Sequence, residues 1–130
     1  MEKRQTEIKQ LRVNGFILID DAPCVVEDIQ ISKAGKHGAA KARLTAKGVF
    51  GNQKRIITKP ADANADVPII EKRSMQVVAL TSDNVQLMDM ETYEMVEIRI
   101  HDDFKGKLVE GEEVLVWKYG QHLLIKGKKG

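Results

Sequence analysis

At 130 residues, with 42% hydrophobic and 31% charged side chains, the chain has room for one ordinary domain or two small ones and the composition of a soluble globular protein. No apolar run approaches the roughly 18 residues of a spanning helix, and Met1-Glu2-Lys3-Arg4-Gln5 is not followed by the apolar stretch of a signal peptide, so a cytoplasmic protein without membrane contact is expected. The formal net charge of +2 hides an asymmetry: residues 1–70 carry 12 Lys/Arg against 8 Asp/Glu, whereas residues 71–130 carry 9 against 11.

Phe16 to Ile19, a turn at Asp20-Asp21-Ala22-Pro23 and Cys24 to Ile31 read as a hairpin, since Asp and Pro supply turn chemistry between apolar β-formers. Cys24, the single cysteine, excludes an internal disulfide, and beside Val25-Val26 it reads as a small buried hydrophobe rather than a nucleophile. Next comes Ser32-Lys33-Ala34-Gly35-Lys36-His37-Gly38, in which Lys36 stands between two glycines. Glycine enters φ > 0 without a Cβ clash, so a tight loop presenting Lys36, with positive φ at Gly35 or Gly38, is expected.

From Ala39 onward Lys41, Arg43, Thr45 and Lys47 alternate with Ala40, Ala42, Leu44 and Ala46, the period of a strand with cations on one face and small apolar residues on the other. Gly51-Asn52 then turns the chain into Lys54 to Lys59. Between Ile29 and Ala61 lie eight cations and no acid, a pattern that attracts phosphate backbones. Lys33, Lys41, Arg43, Lys47, Lys54 and Arg55 are the expected RNA contacts. This first half is a small β-barrel candidate.

Pro60 to Pro68, with two prolines, two aspartates and an asparagine, reads as a break, and the domain boundary is expected near Ile70, giving domains 1–70 and 71–130. Met75–Leu80, Val85–Met88, Met95–Ile100, Val114–Tyr119 and His122–Ile125 follow as five short strands, with His101–Leu108 able to hold a helical turn after the third. That arrangement suggests an OB-type barrel. Met88, Met90 and Met95 read as flexible core filling.

Catalytic and metal chemistry find little support. A phosphate loop needs Gly five residues before its Gly-Lys and Ser/Thr after it, where this chain has Gln30 and His37. His37, His101, His122 and Cys24 lack paired ligand spacing. Glu112-Glu113 and Asp102-Asp103 read as exposed solvated pairs rather than acid/base dyads, so no metal, cofactor or enzymatic activity is expected.

Ser32-Lys33-Ala34-Gly35-Lys36-His37-Gly38, Lys41-Ala42-Arg43, the Val67-Pro68-Ile69-Ile70-Glu71-Lys72-Arg73 linker and Val85-Gln86-Leu87-Met88-Asp89-Met90-Glu91-Thr92-Tyr93-Glu94 together resemble the archaeal branch of translation initiation factor 5A, a family related to bacterial elongation factor P. The resemblance implies an N-terminal SH3-like barrel and a C-terminal OB-fold. It implies that Lys36 receives a 4-aminobutyl group from spermidine through deoxyhypusine synthase, completed to hypusine in eukaryotes. It further implies that the modified factor enters the ribosomal E site and reaches P-site peptidyl-tRNA, promoting peptide-bond formation at stalled sequences such as consecutive prolines. Ala34 stands where many relatives have Thr or Pro, and Ala39 where eukaryotic members have His; Gly35, Lys36, His37 and Gly38 are all retained.

The other reading is a generic RNA-binding or RNA-chaperone module that needs no modified lysine. Against single-strand binding by the second half stand its net negative charge and the chain's aromatic content of only 5%, with Trp117, Tyr93, Tyr119 and Phe104 in that half.

Overall fold

The computed structural model describes residues 2–33 and 40–129. The chain is all-β and divides into two compact units, Met1–Ile69 and Ile70–Gly130. The first is an SH3-like barrel and the second an OB-fold.

In the first unit, β2 (Phe16–Ile19), β3 (Ala22–Ser32), β4 (Lys41–Gly48) and β5 (Lys54–Pro60) form one antiparallel sheet in sequential order, and β1 (Lys3–Glu7) pairs with β6 (Asn64–Pro68). The β2–β3 turn is tighter than the sequence suggests. Asp20 and Asp21 both take positive φ, 51° and 62°, the left-handed pair of a two-residue hairpin, while Ala22 and Pro23 already belong to β3. Within β3 the register slips between Val26 and Asp28, leaving Glu27 as an extra residue. The bulge explains why the inward residues change parity, from Cys24 and Val26 to Ile29 and Ile31. Cys24 is fully buried, and burial pushes its thiol pKa up.

Residues 60–68 are not the linker that their prolines suggest. Arg4 pairs with Val67 and Thr6 with Ala65, and Ala61, Ala65 and Val67 all enter the core with Ile8, Ile17, Val26 and Leu44. Pro68 sits at the strand's last position and Pro60 at the end of β5, where a missing N–H costs no internal rung. The partner strand β1 is polar in sequence and exposed, so its pairing comes from the backbone rather than from an apolar pattern.

Arg55 ties this unit's edges together. Strands β2 and β5 lie at opposite edges of the sheet, yet Arg55 on β5 donates from Nη1 to Asp20 Oδ2 at 3.1 Å in the β2–β3 turn, and from Nη2 to Gln53 Oε1 at 3.2 Å. A sheet must curl strongly for these edges to meet.

The second unit has β7 (Glu71–Leu80), β8 (Asn84–Asp89), β9 (Met95–Arg99), β10 (Glu113–Tyr119) and β11 (His122–Lys128) in the order β11-β10-β7-β8-β9. Glu71 to Arg73, taken from the sequence as linker, are the first residues of β7 and pair with Lys118, Trp117 and Val116. Met75, Val77, Val85, Leu87, Val114, Val116 and Ile125 fill its core, with Phe104 packed against it. The segment after β9 holds a single 3-10 turn, Asp102–Phe104. Met88, Met90 and Met95 do not fill the core as expected. Val85, Leu87 and Asp89 take the inward positions of β8, so the period of two turns Met88 outward, opposite Met95, which is 47% exposed; Met90 is half-buried in the turn. Glu112 and Glu113 are likewise half-buried rather than solvated, and Glu112 accepts from Val109 N at 3.0 Å and meets Lys128 Nζ at 3.3 Å.

Asp89 is the buried carboxylate of this core. It takes a two-pronged bond from Arg73, Nε at 2.9 Å and Nη2 at 3.0 Å, and its Oδ1 also accepts from Glu91 N at 2.8 Å and Thr92 N at 3.1 Å. One side chain thus joins β7 to β8 and shapes the β8–β9 turn. The Arg73 guanidinium bonded to it and the two turn amides outweigh burial and hold its pKa at about 2.

Because the folded pKa lies below the unfolded value, the stabilisation is full above about pH 4 and is lost as pH falls towards 2, roughly 2 kcal/mol across that window. Asp89→Asn should therefore be less stable in urea melts at pH 7 by about 2–4 kcal/mol, with a shallower acid limb than the parent. Arg55→Ala should cost about 1 kcal/mol through its lost bridge and stem packing, while Lys54→Ala stays within about 0.5 kcal/mol in the same melts.

Candidate functional site

The long β3–β4 hairpin ends in the rung Ser32↔Lys41, where Ser32 Oγ also donates to Lys41 O at 3.4 Å. Residues 33–40 connect these two strands. Lys33 is exposed beyond the last rung, and Ala40 packs against the core while its carbonyl accepts from Ala61 N at 2.8 Å. Ala34, Gly35, Lys36, His37, Gly38 and Ala39 lie outside the described residues, and with them the expected dihedrals of the two glycines.

Below that end, β4 alternates as its sequence predicts. Lys41, Arg43 and Lys47 are exposed, whereas Ala42 at 1%, Leu44 and Ala46 at 0% are buried. On β5, Lys54 stands directly opposite Lys47 and shares its outward face. Arg55, one residue on, is opposite the buried Ala46 and points to the other face, where Asp20 and Gln53 occupy its guanidinium. Its guanidinium is thus engaged within the unit, unlike the side chains of the other expected RNA contacts.

The exposed set thus comprises Lys33, Lys41, Arg43, Lys47 and Lys54, none of which forms an ion pair with another described residue. Two like charges placed directly opposite, as Lys47 and Lys54 are, repel across the strands, and an incoming polyanion relieves that repulsion. The face is not free of acid, however. Asp28 lies one residue outside the acid-free stretch of sequence, and the bulge at Glu27 turns it outward, opposite Thr45 and between the Arg43 and Lys47 rungs. Ile56, 54% exposed, completes that row.

In the second unit, sequence reasoning passed over a group that the strands assemble. Trp117 on β10 is opposite Lys72 on β7, and the ammonium groups of Lys72 and Lys126 lie 5.7 and 4.4 Å from its ring centroid. The signal was the odd-numbered, outward register of Leu115 and Trp117 against buried Val114 and Val116, which a net charge for the whole half obscures. Among the described residues no His, Cys, Asp or Glu side chains cluster as metal ligands, and no helix is long and apolar enough to cross a membrane.

Comparison with known proteins bears on the same residues. The family described as translation initiation factor 5A-like, N-terminal, matches residues 3–63. Translation initiation factor 5A of Archaeoglobus fulgidus is 47% identical over 113 residues, covering 87% of this chain and 88% of that protein. The Pyrococcus furiosus factor of the same name is 44% identical, over 99% of this chain and 96% of its own length. Among solved structures, eukaryotic translation initiation factor 5A from Methanococcus jannaschii superposes with a TM-score of 0.89 at 36% identity, covering 98% of both chains. A translation initiation factor eif-5a family protein from Naegleria fowleri, 22% identical with a TM-score of 0.78, shares the fold. The chain belongs to the translation initiation factor 5A family of translation factors.

Proposed function

We propose that this translation factor acts on the ribosome through Lys36, after that side chain has accepted a 4-aminobutyl group from spermidine by the action of deoxyhypusine synthase. The observation that carries the reading is the Ser32↔Lys41 rung, which makes the Gly35-Lys36-His37-Gly38 sequence the connection at the end of a long hairpin. Ile31, on the inward side of β3 and 48% exposed, shows that this end has run out beyond the core on the β3 side. Family membership supports the same assignment.

The extended side chain keeps the charge at Nζ, now a secondary amine, and adds a terminal primary amine. Two cations on a flexible stem suit the phosphates and sugars at the acceptor end of P-site peptidyl-tRNA, reached from the E site. Catalysis stays with ribosomal RNA. The factor contributes by restricting the substrate to reactive geometries, which matters most where consecutive prolines slow peptide-bond formation. Lys33, Lys41, Arg43, Lys47 and Lys54 are assigned to ribosomal RNA backbone, a contact that supplies affinity and orientation without reading sequence.

Lys36→Arg should leave thermal melting unchanged and abolish stimulation of polyproline synthesis, because arginine offers no amine to the transferase. Intact mass of protein from its native source should carry the spermidine-derived addition at Lys36. Full activity of the arginine variant, or unmodified native protein that is active, would transfer the function to an RNA binder independent of modification. Neutralising any two of Lys41, Arg43, Lys47 and Lys54 should weaken ribosome binding by modified protein and reduce its salt dependence, by about two charges' worth of slope. Charge reversal at Glu112 and Glu113 should have the smaller effect, and an unchanged slope for the lysine and arginine variants would move the interface elsewhere.

A further inference from the structure

The second unit is net negative, but its strands sort the charges. Asp83 and Asp102 gather around Lys105, and Glu91 joins Arg73 and Asp89. On β8 and β9, the outward rows are Asn84↔Arg99, Gln86↔Glu97 and Met88↔Met95, with one charge of each sign and no ring. That is the pair of strands OB-folds commonly use for oligonucleotides. The cations and the indole lie instead on β7, β10 and β11.

There, Leu115 and Trp117 face outward from β10 because Val114 and Val116 face the core. Trp117 lies between Lys72 of β7 on one side and Leu124 of β11 on the other. The register of β11 slips so that Leu115 meets Gly127 while Val116 meets Ile125, leaving Lys126 as the extra residue of a bulge and its ammonium 4.4 Å from the ring centroid. Lys129 reaches the same neighbourhood, donating to Ser74 Oγ beside Leu115. Neither Lys72 nor Lys126 forms an ion pair with a described residue. The acid on this face of β10, Glu113, is at the strand's other end.

We infer that the Trp117, Lys72 and Lys126 face of the second unit holds single-stranded RNA, with a base on the indole and its flanking phosphates on the lysines. The chemistry is complementary in both parts. Trp117 is half-buried, and an ammonium on such a surface ring gains little compared with an ammonium on a phosphate, so an arriving strand draws the two lysines outward and leaves the indole face to a base. Stacking of this kind tolerates any sequence because every base has a π-face. The site belongs to the second unit alone, and the inference does not depend on the role proposed for the β4–β5 face or for Lys36.

The chain has one tryptophan, so its emission reports on this face alone. Titrating the full chain with single-stranded oligouridylate should quench that emission saturably, with an affinity that falls as salt rises. The quench should persist in a Lys41→Gln/Arg43→Gln variant. Binding of labelled oligouridylate, followed by anisotropy in that same background, should weaken about tenfold for Trp117→Leu and for Lys72→Glu/Lys126→Glu, while Trp117→Phe retains most of it. The paired lysine variant keeps the test decisive if Trp117→Leu fails to fold. Three results would overturn the inference: RNA binding by anisotropy with no change in Trp117 emission, equal quenching by duplex RNA, or equal quenching by polyglutamate, which would make this a surface for acidic protein.

Discussion

Strand β4 must satisfy two surfaces at once, and much of the first unit depends on how it does so. Its inward residues are small, Ala42 and Ala46 around Leu44, because the barrel they fill is narrow and larger side chains there would force strain of about 1–3 kcal/mol. With packing confined to one face, the other is free to carry Lys41, Arg43 and Lys47 without weakening the core. The same strand therefore supplies the centre of the sheet, one arm of the long hairpin and most of a cationic surface. Substitution on its two faces has unrelated consequences, one for folding and one for recognition.

Closing such small barrels requires contacts that sheets alone do not make. In the first unit, Arg55 crosses from β5 to the β2–β3 turn, and the β1–β6 pair adds Ala65 and Val67 to the core. In the second, Asp89 holds Arg73 and the amides of the following turn, four bonds from one carboxylate. Both devices place a charged group where the chain must bend or two strands must be held in register. The exposed Asp20–Arg55 pair contributes modestly through charge, since water screens it, whereas the buried Asp89 pair is costly to break because the surviving partner would be left uncompensated.

The parts legible in sequence were those governed by a strict period: the alternation of β4 and the five strands of the second unit. Two kinds of feature escaped. Strand β1 is polar throughout, and the short alternation of β6, Asn64-Ala65-Asp66-Val67, is masked by Pro60 before it and Pro68 at its end; the pairing of the two strands is what reveals them. Bulges at Glu27, Val78 and Lys126 shift the inside–outside parity within a strand, so residues beyond the slip change face. Asp28 entered the cationic face by that route. Arg55 differs from its neighbour for a simpler reason: adjacent residues of a strand point to opposite sides, so the run Lys54-Arg55 divides between a surface and a brace.

This division changes how charge in the chain is to be understood. Counted along the sequence, the first half is basic and the second acidic; counted by face, each unit has a cationic outer surface of its own, with Asp28 set into the first, while Asp20, Asp83, Asp89, Glu91, Asp102 and Glu112 lie at turns or strand ends where they pair or hold strands. A polyanion does not respond to the net charge of a domain once it is within a Debye length of the surface, about 8 Å at physiological salt, but to the groups directly before it. Lys47 beside Lys54, and Lys72 with Lys126 around Trp117, are local arrangements on that scale. Their cost in mutual repulsion falls on the free protein and is relieved when phosphate arrives, so the same placement that weakens the sheets slightly favours the complex.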